Sequence, residues 1–383
     1  MHQGYELYGS DRSFLETLET MRRVFPSAEI EAVLPQEGPL AAALRARSVS
    51  VRHERMWILR RRQLLRLMTL GLLELPMALM RAWRNLSDAD ILYINTCVVV
   101  DHLLAAGFRP KRVLVHVHEI PDGIVLAALR ALLRWSRAEV LFNSRATQQA
   151  FALPDSRRQS VLYNGVAAPD VSPAPAFDGT YRLKLIQIGR LSHLKGQDVL
   201  IRAISLLPRE QQGRVEVRIV GDAFENPKAR DDLERLAQEL GVAACVAFHR
   251  FIPDPSEHFE WADIVCVPSR LPESLGRVAI EAAGCGRVVI ASDIGGLPEI
   301  VDHGRTGWLV EPGDENALAA RIDAVLRHPD SWIHFPTAAR ARYEALFAPA
   351  LVEEALAALL RRKVATDGES PIGGTFETRG TGT

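Results

Sequence analysis

Short apolar runs alternate with amphipathic segments through the second half of the chain. Mostly apolar runs of three to six residues predict strands, and longer segments with helical spacing predict helices. The predicted strands are Leu183–Ile188, Val215–Val220, Val246–Phe248, Ile264–Val267 and Val288–Ala291. The predicted helices are Gln197–Leu207, Ala229–Leu240, Gly276–Gly284 and Glu315–Arg327. This alternation predicts βαβ units and a parallel sheet.

The first half shows the same alternation less clearly. Its predicted strands are Ile30–Leu34, Ile91–Ile94, Val113–Val117, Val140–Phe142 and Val161–Tyr163. Its predicted helices are Asp11–Val24, Cys97–Gly107, Gly123–Trp135 and Arg145–Phe151. We therefore expect an α/β chain with two Rossmann-like parallel-sheet domains that face each other across a cleft. Ligands of such sheets bind beyond the carboxyl ends of the strands.

The domain boundaries follow from composition. A segment with three prolines, 167–180, predicts a linker between an N-terminal domain, 1–166, and a C-terminal domain, 181–347. Residues 348–365 predict an amphipathic helix that packs back toward the N-terminal domain. The Gly- and Thr-rich tail, 366–383, is expected to be disordered.

The overall composition is that of a globular chain. It has 383 residues, of which 48% are hydrophobic and 24% charged, and a mean hydropathy of zero. The most apolar long stretch, Gln63 to Met80, is interrupted by Arg66, Glu74 and Pro76, so we expect no transmembrane helix. The N-terminus does not have the pattern of a signal peptide. The four cysteines form no CxxC pair, which argues against a zinc site or a disulfide framework. We expect a cytoplasmic protein.

Charge is distributed unevenly. Residues 1–166 contain 22 Lys and Arg against 16 Asp and Glu, and the segment Arg45 to Arg66 alone has eight arginines and one acidic residue. Apolar side chains, Trp57 among them, lie between these arginines. A helix built in this way could lie on an anionic membrane surface at the inner face of the membrane. The alternative is a domain helix with a basic, solvated face.

The first candidate site follows the strand Leu183–Ile188. Gly189 ends the strand, Arg190 follows, and Lys195 comes five residues later, just before a helix. Two cations on one loop can hold a diphosphate from two sides, and ordinary surface charge is the alternative. The strand Val215–Val220 ends in Gly221 and Asp222, a tight turn where backbone can approach a ligand.

The second candidate site contains two carboxylates that flank the start of a helix. Glu273 lies in a loop, Ser274, Leu275 and Gly276 open the helix, and Glu281 lies on its second turn. The helix N-terminus can bind a phosphate, and each carboxylate can accept hydrogen bonds from sugar hydroxyls. Glu281 stands among apolar residues, which argues against a freely solvated position. A G-x-G-x-x-G or Walker motif is absent from the sequence, which lowers the expectation of nicotinamide or ATP use.

Several motifs in order resemble the family-4 retaining glycosyltransferases of the GT-B fold. They are G-R-x4-K-G, V-G-D, E-x7-E, G-G-x2-E and T-G-x-L-V at Thr306–Val310. The resemblance covers roughly Leu183 to Glu311. It implies a nucleotide-diphosphate sugar as donor substrate, no metal or other cofactor, and retention of the anomeric configuration.

The resemblance also implies roles for individual residues. Arg190 and Lys195 would bind the donor diphosphate and stabilise the leaving group. Glu273 would bind hydroxyls of the transferred sugar, and Glu281 those of the ribose. The other residues expected to contact the donor are Gly189, Gly221, Asp222, Ser274, Leu275, Gly276 and Gly9.

The N-terminal half gives a less complete prediction of the acceptor side. His118, at a strand end, is expected to face the cleft and to position the donor sugar and the acceptor, as a histidine does in the resembled family; a structural role is the alternative. Ser144 and Asn164 are cleft-side candidates that capping and turn roles explain nearly as well. Gly9 to Asp11 resemble the family's glycine-rich loop, but almost no strand precedes it. We expect that this first strand is either truncated or absent from the sheet.

The sequence therefore predicts a retaining hexosyltransferase that moves a sugar to a glycan or lipid-linked acceptor, with a role in cell-surface polysaccharide or lipopolysaccharide biosynthesis. No nucleic-acid partner is expected. A GT-B-like sugar-nucleotide epimerase is one alternative, which would convert its substrate without an acceptor. A non-catalytic sugar-nucleotide-binding or glycan-binding module is the other.

Overall fold

The protein is described by a computed structural model that covers residues 1–5, 9–59, 70–156, 158–172, 177–223 and 226–367. It is an α/β chain with parallel sheets, which confirms the fold predicted from the alternation of strands and helices. Within the described ranges, none of the helices combines the length and the hydropathy that a membrane crossing requires.

The N-terminal half contains two groups of parallel strands. Its elements are α1 (Gly9–Val24), β1 (Glu31–Leu34), α2 (Pro39–Ala46), β2 (Ser50–His53), α3 (Leu70–Asp88), β3 (Leu92–Ile94), α4 (Val100–Ala106), β4 (Val113–Val117), α5 (Gly123–Ser136), β5 (Glu139–Phe142), α6 (Arg145–Phe151) and β6 (Gln159–Val161). Strands β3, β4, β5 and β6 form one sheet in that order, and β1 pairs with β2. The carboxyl ends of β3, β4 and β5 therefore lie along one edge.

The first residues of the chain link these two groups of strands. The amino nitrogen of Met1 donates to the carbonyl of Tyr93 at 2.8 Å, and Asn95 N donates to the carbonyl of Met1 at 3.0 Å. His2 N donates to the carbonyl of Val33 at 3.2 Å. The backbone of Met1 and His2 thus occupies the position between β1 and β3 that the sequence leaves without a predicted strand.

The C-terminal half forms a six-stranded parallel sheet. Its elements are β7 (Leu183–Ile188), α7 (Gln197–Leu206), α8 (Arg209–Gln212), β8 (Val215–Val220), α9 (Ala229–Glu239), β9 (Val246–His249), α10 (Ser256–Trp261), β10 (Ile264–Val267), α11 (Arg277–Gly284), β11 (Val288–Ser292), α12 (Leu297–Ile300), β12 (Gly307–Val310), α13 (Glu315–Arg327), α14 (Phe335–Leu346) and α15 (Pro349–Asp367). The strand order is β12-β11-β10-β7-β8-β9. The chain reverses direction across the sheet between β7 and β10, so a crevice opens at the carboxyl ends of these two strands.

Helices cover both faces of this sheet. Alternate side chains of β7 enter two different cores: Leu185 packs in the cluster that includes Ile322 of α13, and Ile186 packs with Ala279 of α11. Strands β10 and β11 are buried at every position, which explains why they appear in the sequence as almost continuous apolar runs.

Helix α15 packs on the N-terminal half. Leu356 and Leu360 share a core with Phe14 and Leu18 of α1. The Lys363 ammonium is buried and donates to the carbonyl of Val113 at 3.3 Å. The chain therefore crosses back to the N-terminal sheet after it completes the C-terminal one. Residues 368–383, the greater part of the tail predicted to be disordered, lie outside the described residues.

The prediction of a helix over Arg45–Arg66 is wrong for the part that is described. Arg45 lies at the end of α2, residues 50–53 form β2, and the chain continues without a helix to residue 59; residues 60–66 lie outside the described residues. The apolar side chains Met56, Ile58 and Leu59 pack against the protein's own core. In addition, β6 ends at Val161, two residues before the predicted strand end.

Two glycines allow the loops at the crevice to pack backbone against backbone. A Cβ on Gly221 would lie 1.9 Å from the carbonyl oxygen of Gly189. A Cβ on Gly196, whose φ is +67°, would lie 2.0 Å from the carbonyl oxygen of Pro268. No other residue type fits these positions without a shift of the backbone.

Replacement of Gly196 by alanine should destabilise the protein more than replacement of Gly241. Both have a left-handed φ, but a Cβ on Gly241 has no atom within 4 Å, so Gly241→Ala measures backbone strain alone, about 1 kcal/mol. Gly196→Ala should cost a further ~2 kcal/mol because it forces two loops apart. Chemical denaturation of both variants gives the free energies of unfolding. Equal losses would show that the contact with Pro268 does not restrict this loop.

Candidate active site

Two buried glutamines hold the loop between β7 and α7. Nε2 of Gln187 donates to the carbonyl of Lys195 at 2.7 Å, and Nε2 of Gln197 donates to the carbonyl of Arg190 at 2.9 Å. The backbone around both cations is therefore fixed by neutral side chains, which leaves the charged groups at the surface of the crevice. Arg190 is exposed, and Lys195 is partly buried.

Lys195 and Glu273 form an ion pair across the crevice. The Lys195 Nζ lies 2.8 Å from Glu273 Oε2, and the side chains are 29% and 16% exposed. Ser269 Oγ donates to the other carboxylate oxygen. The structure thus brings together the cation predicted after β7 and the carboxylate predicted after β10, which are far apart in sequence. Both groups can still be reached by a ligand.

The loop that contains Glu273 packs on the next βα loop of the sheet. Gly296 N donates to the carbonyl of Glu273 at 2.8 Å. Leu275 is buried, and Gly276, with a φ of +102°, is the residue before α11. Backbone of Ser274 to Gly276 therefore lies at the N-terminal end of this eight-residue helix, beside the ion pair. On the other side of the crevice, the carbonyl of Asp222 accepts a hydrogen bond from Leu191 N at 3.0 Å, which ties the loop after β8 to the loop after β7.

Glu281 is buried beside an arginine that the sequence did not single out. Nε of Arg277 donates to Glu281 Oε1 at 3.0 Å, and Nη2 of Arg277 reaches Glu16 Oε1 of α1 at 3.2 Å. Burial raises the pKa of both carboxyl groups, and Arg277 opposes that effect. The i to i+4 spacing of Arg277 and Glu281 was the available sequence signal. No local sequence signal pointed to Glu16, because it lies in the N-terminal half and Arg277 lies in the C-terminal half.

Two further contacts join the loops at the crevice to the N-terminal half. Ser274 Oγ accepts from Asn143 Nδ2 at 3.1 Å. The carboxylate of Glu299, in the G-G-x2-E motif, accepts from the backbone N–H groups of Arg145 and Ala146 at 2.9 and 2.8 Å. Glu299 thus caps α6 of the other sheet. Ser144 caps the same helix through Thr147 N, which is the capping role weighed for it from sequence.

His118 belongs to a buried polar network at the edge of the N-terminal sheet. Its Nε2 lies 2.9 Å from Oδ1 of Asn95, whose Nδ2 donates to the carbonyl of Ser10 at 3.2 Å. Because the amide oxygen is the acceptor, His118 carries its proton on Nε2. Its Nδ1 is buried and has no hydrogen-bond partner among the described residues. Burial lowers the pKa of His118 well below its ordinary value, and the neighbouring His116 makes a smaller contribution in the same direction.

Neutral imidazoles fill this edge of the sheet. The rings of His116 and His118 lie 4.0 Å apart, and burial lowers the pKa of His116 to about 4. Glu119, next in sequence, accepts from Thr96 Oγ1 at 2.5 Å and from Gln3 Nε2 at 2.9 Å. His118 can therefore accept a hydrogen bond at Nδ1 at neutral pH, but it does not supply positive charge.

The start of α1 faces the C-terminal half. Arg12 Nη2 donates to the carbonyl of Pro253 at 3.1 Å. Oδ1 of Asp11 lies within hydrogen-bond distance of His2 Nε2, at 2.5 Å. Gly9 begins the helix, and a Cβ there would meet no atom within 4 Å. The residues just before it, 6–8, lie outside the described residues. Across the described parts of the chain, no three His, Cys, Asp or Glu side chains are placed to hold a metal ion.

Comparison with known proteins agrees with this architecture. Residues 177–345 match the family Glycosyl transferases group 1. D-inositol 3-phosphate glycosyltransferase of Corynebacterium jeikeium is 41% identical over 159 residues, which are 39% of this chain and 37% of that protein. GDP-mannose-dependent alpha-(1-6)-phosphatidylinositol monomannoside mannosyltransferase of Mycolicibacterium smegmatis is 32% identical over 246 residues, 58% of this chain and 63% of that protein. The matches thus span less than two thirds of these relatives.

Solved structures match nearly the whole chain. The structure of Anabaena Alr3699/HepE in complex with UDP matches with a TM-score of 0.77 at 24% identity. The match covers 94% of this chain and 98% of the Anabaena chain. Sucrose-phosphate synthase of Thermosynechococcus elongatus matches with a TM-score of 0.72 at 20% identity. The match covers 95% of this chain and 98% of the synthase chain. At this identity the likeness concerns the fold, which is the two-domain GT-B fold. Residues 177–345 therefore resemble the glycosyl transferases group 1 family, and the chain as a whole has the GT-B fold.

Proposed function

We propose that this chain transfers a sugar from a nucleotide-diphosphate donor to a glycan or lipid-linked acceptor, with retention of the anomeric configuration. The observation that carries the proposal is the ion pair of Lys195 and Glu273 at the point where the strand order of the C-terminal sheet reverses. A cation and a carboxylate held side by side match the two parts of a sugar nucleotide, its anionic diphosphate and its neutral hydroxyls.

The cations would act on the leaving group. Negative charge accumulates on the departing nucleoside diphosphate, and preorganised positive groups stabilise that charge in the transition state. We assign this role to Lys195 and Arg190, with backbone N–H groups near Leu275 and Gly276 on the distal phosphate. The glutamine hydrogen bonds that fix the loop lower the cost of orienting both cations before the donor arrives.

The carboxylates would orient the donor. Glu273 would accept hydrogen bonds from hydroxyls of the transferred sugar. Lys195, which is paired with Glu273 in the structure, would turn toward the phosphate. One oxygen of Glu281 accepts from Arg277, and we assign the other to the ribose hydroxyls. Gly189, Gly221 and Asp222 would form the floor of this donor site.

The acceptor would enter from the N-terminal side. His118, neutral and held by Asn95, is the group we assign to position the acceptor and the donor sugar. The names of two relatives specify inositol 3-phosphate and phosphatidylinositol monomannoside, which supports a polyol or lipid-linked acceptor. For the donor, the names and complexes of similar proteins include GDP-mannose, UDP and UDP-glucose.

Removal of either member of the ion pair should abolish transfer. Lys195→Ala and Glu273→Gln should each lower kcat/KM about 100-fold or more, since each removes a group that acts on the reacting donor. The assay is nucleoside diphosphate release from a panel of UDP-, GDP-, ADP- and dTDP-sugars, with sugar or inositol phosphates and lipid extracts as acceptors.

Lys228→Ala and Glu239→Gln, which alter exposed residues of the same domain, are the matched controls and should retain full activity. Undiminished transfer by both ion-pair variants would refute the assignment. Conversion of a sugar nucleotide without any acceptor would instead favour an epimerase.

The histidines should be neutral at working pH. Nitrogen chemical shifts of His116 and His118 should be those of neutral imidazole from pH 8 down to about pH 6, because burial disfavours the charged form. The folded-state pKa of His116 is about 4, whereas the unfolded value is about 6.5. The unfolded chain therefore binds a proton more readily, and the free energy of unfolding decreases as the pH falls from about 6.5 toward 4. Titration of either ring near 6.5 would contradict the buried, positioning role.

A further inference from the structure

Helix α3 is apolar on the face that points away from the protein. Its buried face contains Ala78, Ala82 and Leu86. On the opposite face, Leu73, Met77, Met80 and Trp83 are exposed, and Leu73 is 80% exposed. Their spacing of three and four residues aligns them in one stripe. A helix of a soluble domain ordinarily presents charged or polar residues on this side, so the stripe calls for a partner.

Two more exposed aromatic residues extend this stripe. Trp83 meets Phe108 edge to face at 6.1 Å between ring centroids, and Phe108 meets Trp135 at 5.8 Å. The rings are held in place: Trp135 Nε1 donates to the carbonyl of Leu104 at 3.0 Å, and the guanidinium of Arg109 lies 4.8 Å from the Trp83 ring centroid. These contacts orient the rings of Trp83 and Trp135, and Phe108, which lies between them, is 67% exposed.

A basic cavity lies along one flank of the stripe. It has a volume of about 280 Å³ and is lined by Arg52, Arg55, Arg81 and Arg84, with Glu54 as the one carboxylate in its wall. Arg52 is paired with Glu54, and Arg55 with Glu74. Within the described residues, neither Arg81 nor Arg84 is paired with a carboxylate, and the buried Nε of Arg81 has no hydrogen-bond partner. The cavity thus has an excess of positive charge.

Helix geometry places cavity and stripe side by side. Arg81 lies four residues after Met77 and Arg84 four residues after Met80, so at about 100° per residue each arginine projects about 40° to the same side of its methionine. The two arginines therefore project from the same side of the helix as the apolar side chains. An anion held by them would lie next to an apolar surface.

We infer that α3, the aromatic residues Phe108 and Trp135, and the arginine-lined cavity dock on a bilayer of anionic phospholipid. A headgroup phosphate would enter the cavity, and the stripe would enter the boundary between headgroups and acyl chains, where tryptophan is favoured. A second copy of the chain fits less well, because a two-fold interface on this patch would bring two arginine clusters together. This surface replaces the Arg45–Arg66 helix as the membrane contact, and it does not depend on the proposed transfer chemistry.

Vesicle co-sedimentation of the full chain tests the inference. Phosphatidylcholine vesicles with about 30 mol % phosphatidylglycerol should bind the wild type, and pure phosphatidylcholine should bind it at least tenfold more weakly. Arg81→Ala with Arg84→Ala should weaken binding to the anionic vesicles about thirtyfold, from ~1 kcal/mol per arginine near the surface. Met77→Ser with Met80→Ser should weaken it as well, without loss of thermal stability, because both side chains are exposed.

The control is Leu206→Ser with Arg209→Ala, an exposed pair of the same chemistry on the C-terminal half, which should bind vesicles like the wild type. Binding that is equal for neutral and anionic vesicles, or unchanged in both α3 variants, would overturn the inference. So would a wild-type dimer in sedimentation velocity that the Met77 and Met80 changes convert to a monomer, because a second copy would then occupy the stripe.

Discussion

Backbone packing at the carboxyl ends of β7, β8 and β10 is the constraint on which the candidate site depends. At Gly196 and Gly221 a single methyl group would collide with a carbonyl oxygen of a neighbouring loop, at 2.0 and 1.9 Å. The loops can therefore approach closely enough for Lys195 and Glu273 to meet at 2.8 Å. The reversal of strand order between β7 and β10 provides the crevice, and the glycines set the distance across it.

The donor-side loops also connect the two halves of the chain. Glu299 caps α6 of the N-terminal sheet, Ser274 accepts from Asn143, and Arg277 joins Glu281 to Glu16. Residues beside the proposed donor site are thus the same ones that contact the N-terminal half. A ligand that draws Arg277 or Ser274 toward itself would change these contacts, so under the proposed function donor binding would alter how the two halves meet.

The sequence predicted the regular parts of this structure and missed the parts set by non-local contacts. Strands β10 and β11 are almost continuous apolar runs because both their faces are buried, and strands β7 to β11 are found close to their predicted bounds. Strand β2 was missed because Arg52 and His53 interrupt its apolar pattern, and α3 because both of its faces are apolar. The convergence of Lys195 and Glu273 followed from strand ends in one sheet. The capping by Glu299 and the contact of Arg277 with Glu16 have no local signal, since each partner lies in the other half.

The central claim is that the crevice between β7 and β10 binds the diphosphate of a sugar nucleotide. A crystal structure of the chain with UDP or GDP tests it most directly. We expect the diphosphate to contact Arg190, Lys195 and the backbone N–H groups near Gly276, with the ribose on Glu281. A nucleotide bound elsewhere, or one whose diphosphate points away from both cations, would contradict the account.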